Sequence, residues 1–267
     1  MKRWSRIAVT FIKFSIAVAF AVFILYIGLI LSLLYFWDGA LFIETLCSDR
    51  TLFSIKISML TATTVTFLSL LFAVPSAYAL SRLDFVGKHL IDTLLELPMV
   101  VSPAALGAML LIFFNNPIGV WIQNSYMQFV FTISGIILAQ FVTTVGIATR
   151  LVKAAMDEIP YRYEDVARSL GASPLEAFFT ITLPLSKNGI LAAGALTWAK
   201  AIGEFGATIT IGGSMAMKTE TLPVAIFMRL SSADIEGTVA LIFVLTGIGL
   251  SMLSGVRLLT KLGHRYD

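Results

Sequence analysis

Long apolar stretches alternate with short polar ones along this chain. Six of the apolar stretches reach the roughly 20 residues that a helix needs to cross about 30 Å of hydrocarbon. They cover residues 12–35, 56–80, 90–114, 127–149, 188–212 and 237–259, which predicts six membrane-spanning helices. Several contain helix breakers: Pro75 in the second, Pro98 and Pro103 in the third, and Gly203, Gly206, Gly212 and Gly213 in the fifth. Irregular backbone at membrane depth is tolerated where protein or a water-filled cavity satisfies the freed polar groups. The third and fifth spans collect the most breakers and polar positions, so they are the candidates for lining a pathway, although any single Gly or Pro also suits ordinary helix packing.

Between the fourth and fifth apolar stretches lies a polar run at 161–184, reading YEDVARSLGASPLEAFFTITLP from residue 163 onward. Pro160 suits a first helical position, and residues 161–170 can form a helix that ends at Gly171, the residue best able to take the left-handed conformation there. Ser173 then reads as an N-cap, with Pro174 at N1 and Glu176 at N3, the reciprocal arrangement of a capping box. A second helix carries Leu175, Phe178, Phe179 and Thr182 and is expected to stop near Pro184. Such an amphipathic elbow is equally well explained, on physics alone, as lying in the membrane interface.

Composition excludes a soluble domain: 58% of residues are apolar, 13% are charged and the mean hydropathy is +0.90. A length of 267 residues holds several spans in one integrated domain but no nucleotide-binding domain of ordinary size. The expected organisation is one transmembrane domain over 1–267, with the first span and an outer loop at 1–54, a core at 55–260 and the polar segment at 161–184. The first stretch follows Lys2, Arg3, Arg6 and Lys13 as a signal peptide would, but it is too long and no small-residue cleavage site follows.

Charge sets the orientation, because Lys and Arg accumulate in short cytoplasmic loops. An arrangement with the N-terminus inside places fourteen of the 19 Lys and Arg in the cytoplasm and four outside (Arg50, Lys56, Lys218 and Arg229), with Lys200 left within a span. Both termini and the segment 150–187 are then cytoplasmic. A net charge of +3 with basic residues at span ends gives no reason to expect nucleic acid. The single Cys47 forms no intrachain disulfide, and no Cys/His cluster has metal-ligand spacing. His89 and His264 stand near cytoplasmic ends, far along the chain from any nucleophile. Gly87-Lys88 lacks the earlier glycine of a phosphate-binding loop.

Lys200 and Glu204 stand four residues apart within the fifth stretch and are expected on one helix face as a neutralising pair. An ionisable group inside a span is costly and points to function; a pair that merely staples helices reads as well.

The spacing of the polar run carries a resemblance. From Asp165-Val166-Ala167 there are three residues to Gly171 and nine more to Ile181-Thr182-Leu183-Pro184, which resembles the EAA loop of ABC importer permeases. The run Gly203-Glu204-Phe205-Gly206-Ala207-Thr208 looks like the molybdate, tungstate and sulfate branch of that family, and Leu97-Pro98 through Ser102-Pro103 and Thr219 through Pro223 agree with it. Together they cover about residues 55–260. The resemblance implies an all-α integral membrane protein of the type I importer permease fold in the cell membrane, with no catalytic residue, cofactor or metal of its own. Its implied partners are membrane lipid, two copies of an ATPase subunit that binds ATP and magnesium, a second permease copy, and an extracytoplasmic oxyanion-binding protein.

The ATPase-docking residues implied are Glu164, Asp165, Val166, Ala167, Gly171, Ala172, Ser173 and Pro174. The family's Glu-Ala-Ala is here Asp165-Val166-Ala167 with Glu164 one place earlier, which leaves either acid as the contact. The pathway or gate candidates are Ser102, Pro103, Lys200, Gly203, Glu204, Gly206 and Thr208, with Gly203 and Gly206 allowing close helix approach. Thr143, Thr144 and Thr197 could add neutral hydrogen bonds, since an oxyanion needs a path it can leave rather than a tight cationic site; each could instead bond back to its own helix. Sulfate or thiosulfate is the alternative cargo. An ATP-independent transporter or channel is the alternative class, disfavoured because neither an inverted repeat nor paired intramembrane carboxylates are found.

Overall fold

A computed structural model describes residues 2–263, with side chains described at 10–256 and at Leu258. His264 and Arg265 lie outside the described residues. Among those described, all regular structure is helical. Four helices are long and apolar enough to cross a membrane, over Thr10–Phe36, Asp49–Arg82, Ile133–Asp157 and Ile235–Val256, and a bent pair makes a fifth if counted as one span.

In chain order the helices are α1 (Lys2–Ser32), α2 (Gly39–Cys47), α3 (Asp49–Arg82), α4 (Lys88–Leu94), α5 (Leu97–Val100), α6 (Pro103–Asn115), α7 (Pro117–Ser125), α8 (Ile133–Asp157), α9 (Arg162–Ser169), α10 (Pro174–Ala177), α11 (Leu183–Ile202), α12 (Gly206–Gly212), α13 (Leu222–Ser231) and α14 (Ile235–Gly263). The core is α3 packed along α8, with α11 against both. Small side chains make that possible: Ala73, Ala77, Ala148 and Ala193 meet beside Val152 and Met156. Apolar helices gain little from hiding from lipid, so close van der Waals contact between small residues is what holds them together. A second cluster joins Ala62 and Val65 to Trp198, Ala201 and Ile202. There the Trp198 indole N–H donates to Thr63 Oγ1 at 3.1 Å. By contrast, none of the apolar window of the first span is buried, and among the elements of this chain α1 meets mainly the single turn Leu33–Phe36 that follows it.

The third predicted span is not one straight helix. Residues Lys88–Val100 and Pro103–Asn115 meet at 110°. Pro103 disfavours helical backbone at the residue before it, so Ser102 turns extended and caps α6 by accepting the Ala105 N–H. The fifth predicted span is likewise divided, into α11 and α12, and α11 is diluted by Lys187, Asn188 and Lys200. The fourth starts later and runs further than its apolar stretch. Thr132 caps its start, and towards its end two charge pairs accompany the extension past 149, Arg150 with Glu96 and Lys153 with Asp157.

The polar elbow also differs at its far end. The helix begun at Pro174 does not stop near Pro184: it widens into a π turn at Phe178–Thr182 and continues into α11. A proline inside a helix lacks the N–H its turn requires and crowds the preceding carbonyl; a π turn just before it relieves both without ending the helix. Pro160 also sits outside α9, its carbonyl accepting the Tyr163 N–H.

Candidate functional site

The elbow is built as the sequence predicts at its centre. Gly171 has φ +96°, the Gly171 N–H bonds to Arg168 O, and the Ala172 N–H reaches back to Ala167 O at 3.0 Å. That is a Schellman closure of α9. Two residues on, the Ser173 N–H donates to Glu176 Oε2 at 2.7 Å while the Glu176 N–H donates to Ser173 Oγ at 3.3 Å. These bonds from the Ser173 backbone and hydroxyl hold the Glu176 carboxyl below the usual glutamate range. The box is therefore complete at neutral pH and is lost only as acid protonates Glu176 through that lowered range.

Two closures in succession fix the angle between α9 and α10 and leave apolar side chains outward. Val166, Leu170 and Leu175 are 59%, 84% and 66% exposed, and Asp165, Ser173 and Pro174 stand exposed among them. Ala167 and Ala172 are half-buried beneath.

Glu164 is the exception among the predicted docking residues, being only 3% exposed. Its carboxylate accepts from Arg82 Nε at 2.8 Å, from the Tyr78 hydroxyl at 3.2 Å and from Thr182 Oγ1. The acid on the outer face is Asp165. Arg82 in turn donates through Nη2 to Met156 O and Ile159 O, each at 2.9 Å, and lies 5.7 Å from the centre of the Tyr161 ring. No sequence pattern marked this pairing, because Arg82 is 82 residues from Glu164 along the chain. The sequence shows only that two acids, Glu164 and Asp165, stand side by side on a short polar helix, with nothing to say which turns inward.

The breaks in the third and fifth spans lie against each other. A Cβ added at Gly206 would sit 2.8 Å from Ala104 N, and one at Gly107 would sit 2.8 Å from the Ala207 Cα. Only glycine lets these backbones approach so closely. Gly203 plays no such part: an added Cβ would meet nothing nearer than Ala199 O at 3.5 Å.

Lys200 and Glu204 do pair, Nζ to Oε2 at 2.7 Å, but not on one continuous helix, since α11 ends at Ile202. Glu204 reaches across the break. Its second oxygen, Oε1, accepts the Ala207 N–H at 3.2 Å, so one carboxylate joins the end of α11 to the start of α12. The Glu204 side chain is 1% exposed and that of Lys200 41%. A lysine ammonium half-exposed on a span faces lipid only at high cost, so its open side requires polar surroundings.

The remaining pathway candidates are occupied with local duties. Ser102 Oγ caps α6, and Thr143, Thr144 and Thr197 bond back to Gln140 O, Gln140 O and Ala193 O. Thr208 is fully buried with no hydrogen-bond partner for its hydroxyl. At the opposite end of the molecule, Arg50 makes a two-pronged bond to the buried Glu220 at 2.7 and 2.6 Å, tying the start of α3 to the loop before α13. Among the described residues no group of three or more His, Cys, Asp or Glu could hold a metal ion.

Comparison with known proteins bears on all of this. Residues 69–262 match the family described as binding-protein-dependent transport system inner membrane component. The chain is 35% identical over 186 residues to the molybdenum transport system permease protein ModB of Haemophilus influenzae, covering 68% of this chain and 81% of that one. It is 30% identical over 215 residues to the molybdate/tungstate transport system permease protein WtpB of Pyrococcus abyssi, covering 80% and 81%. It is 29% identical over 225 residues to the sulfate transport system permease protein CysT of Escherichia coli, covering 83% and 81%. In three dimensions it resembles a chain in the crystal structure of a bacterial alginate ABC transporter in complex with an alginate pentasaccharide-bound periplasmic protein. The TM-score is 0.74, with 95% of each chain covered and 14% sequence identity, a likeness of fold.

Proposed function

The chain belongs to the family of binding-protein-dependent transport system inner membrane components, and from that premise we propose that the tetrahedral oxyanions molybdate and tungstate are its cargo. It is a multi-pass permease subunit of an ABC transporter in the cell membrane, not an enzyme, and the ATPase is a separate chain. The observation that carries the cargo is the similarity to permeases named for molybdenum and for molybdate and tungstate. Relatives named for sulfate stand nearby, so sulfate or thiosulfate is the second reading. A reconstituted complex decides between them. With binding protein loaded with each anion in turn, molybdate and tungstate stimulate ATP hydrolysis and sulfate does not; stimulation by sulfate alone reverses the assignment.

In the proposed cycle the elbow docks on the ATPase. Exposed Val166, Leu170 and Leu175 offer apolar contact, Asp165 a rim charge, and Gly171, Ala172, Ser173 and Pro174 the fixed turn. Two ATPase copies, each with ATP and magnesium, close and open beneath two permease copies, and an extracytoplasmic binding protein delivers the anion to the outer face. The exposed apolar window of the first span supports a second copy as its neighbour, since a helix that buries so little surface among the described residues has a face free to pack on another chain. Both termini are cytoplasmic in this reading, in keeping with the distribution of Lys and Arg.

The pathway runs past the paired breaks. Lys200 presents positive charge to it, and Glu204 keeps that charge from holding a dianion too long, while Ser102, Pro103 and Gly206 shape the constriction. Gly203 ends α11 and Thr208 packs behind, so neither lines the route.

A further inference from the structure

We propose that Glu164 and Arg82 form the pin that hands movement of the elbow to the spans, Glu164 being a positioning residue rather than a contact to the ATPase. The proposal rests on the reading that the elbow docks the ATPase. It starts from how α9 is attached. Glu164 is the one fully buried residue of that helix, with Ala167 half-buried beside it, so the main hold of α9 on the core is hydrogen-bonded charge at Glu164.

The bonds of that side chain then define what moves together. Through Arg82 and Tyr78, Glu164 is fixed to the inner end of α3; through Thr182 it is fixed to the π turn that leads into α11. Arg82 carries the same grip to the inner end of α8 by way of Met156 O and Ile159 O. Ser81 Oγ, beside it, donates to Asp157 Oδ1 and closes α3 on α8 a second time. One buried ion pair therefore joins α9 to all three helices of the core. Apolar contact would allow a small helix to slide over the core surface. Charged hydrogen bonds at fixed angles do not, because displacing either partner leaves a buried charge unpaired.

The test uses the whole complex, permease with its ATPase chains, in proteoliposomes with binding protein and molybdate. Glu164→Gln keeps the shape and removes the charge. The ATPase is expected to co-purify in unchanged amount, while molybdate taken up per ATP hydrolysed falls by about tenfold or more, the scale set by weakening a buried charged hydrogen bond. Wild-type uptake per ATP would overturn the proposal. So would loss of the ATPase from the Glu164→Gln complex, since Glu164 would then be a docking contact.

If Glu164→Gln does not fold, Tyr78→Phe removes a single hydroxyl from the carboxylate, and its uptake per ATP is expected to fall by about threefold; an unchanged ratio overturns the pin. Replacing both partners, Arg82→Met with Glu164→Leu, leaves only apolar contact and is expected to uncouple at least as far as Glu164→Gln alone; wild-type uptake per ATP in this double variant overturns the pin. Gly171→Glu serves as comparator. If it strips the ATPase while Glu164→Gln stays coupled, the pin alone is wrong; if it leaves the ATPase bound and transport intact, the docking reading is wrong.

Discussion

Glu204 occupies the break between α11 and α12 with one oxygen on Lys200 and the other on the Ala207 N–H. Glutamine there can keep the bond to Ala207 but not the charge, so Glu204→Gln leaves the half-exposed Lys200 ammonium unneutralised beside the proposed route of a dianion. Molybdate uptake is expected to fall by about tenfold while the ATPase stays bound, which an uptake assay on the purified complex measures. Normal uptake by well-folded protein would remove this pair from the pathway. That an acid and a base four residues apart would pair was legible in the sequence. That they pair across a break was not, because an i, i+4 spacing assumes the helix continues, and it is Gly203 and the contacts of Gly206 with Ala104 that decide otherwise. The burial of Glu164 was illegible for a related reason: its partner Arg82 is distant along the chain, and a polar helix gives no hint of which acid turns inward.

At the level of elements, local chemistry gave the elbow and long-range contact gave its surroundings. Gly171, Ser173 and Glu176 act on neighbours within five residues, so closure and capping could be argued from spacing. The second helix was expected to end at Pro184 because proline usually ends helices; a π turn at Phe178–Thr182 absorbs it instead. The bounds of α8 depend on its partners, since Arg150 with Glu96 and the Lys153–Asp157 pair, together with buried Val152 and Met156, carry it past the end of the apolar stretch at 149. The elbow itself yields a test. At Gly171 there is open space for a side chain, but φ is +96°. Glutamate at this position is strained by about 1 kcal/mol or more and places a charge on an apolar face. Gly171→Glu is expected to release the ATPase from membrane complexes, read by co-purification, while detergent-solubilised permease keeps its helical content. Retained ATPase with normal transport would mean that the elbow docks nothing.

For the molecule as a whole, charge bias and apolar length were enough to read an α-helical membrane protein, and residues 97–103, 163–184 and 203–208 to read its family. How the spans pack was not available, since the alanine seam between α3, α8 and α11 has no periodic signature distinct from that of any apolar helix. The first span belongs to this scale. It exposes nearly all of its surface to its surroundings while the other long helices bury part of theirs. Removing residues 2–32 is expected to leave the core folded but to shift the permease from dimer to monomer in light scattering of detergent-solubilised protein. A truncated chain that remains dimeric would show that the pairing surface lies on the core.

The unbroken run of helix from Pro174 through the π turn to Ile202 is about 40 Å long at 1.5 Å per residue. It starts at the outward tip of the elbow and finishes one residue short of Gly203, beside the carboxylate that bridges the membrane break. No loop intervenes to absorb displacement. It is a connecting rod: a tilt of a few degrees applied at the elbow arrives at the break between α11 and α12 as a shift of an ångström or more, with the wider π turn a point where the rod can flex.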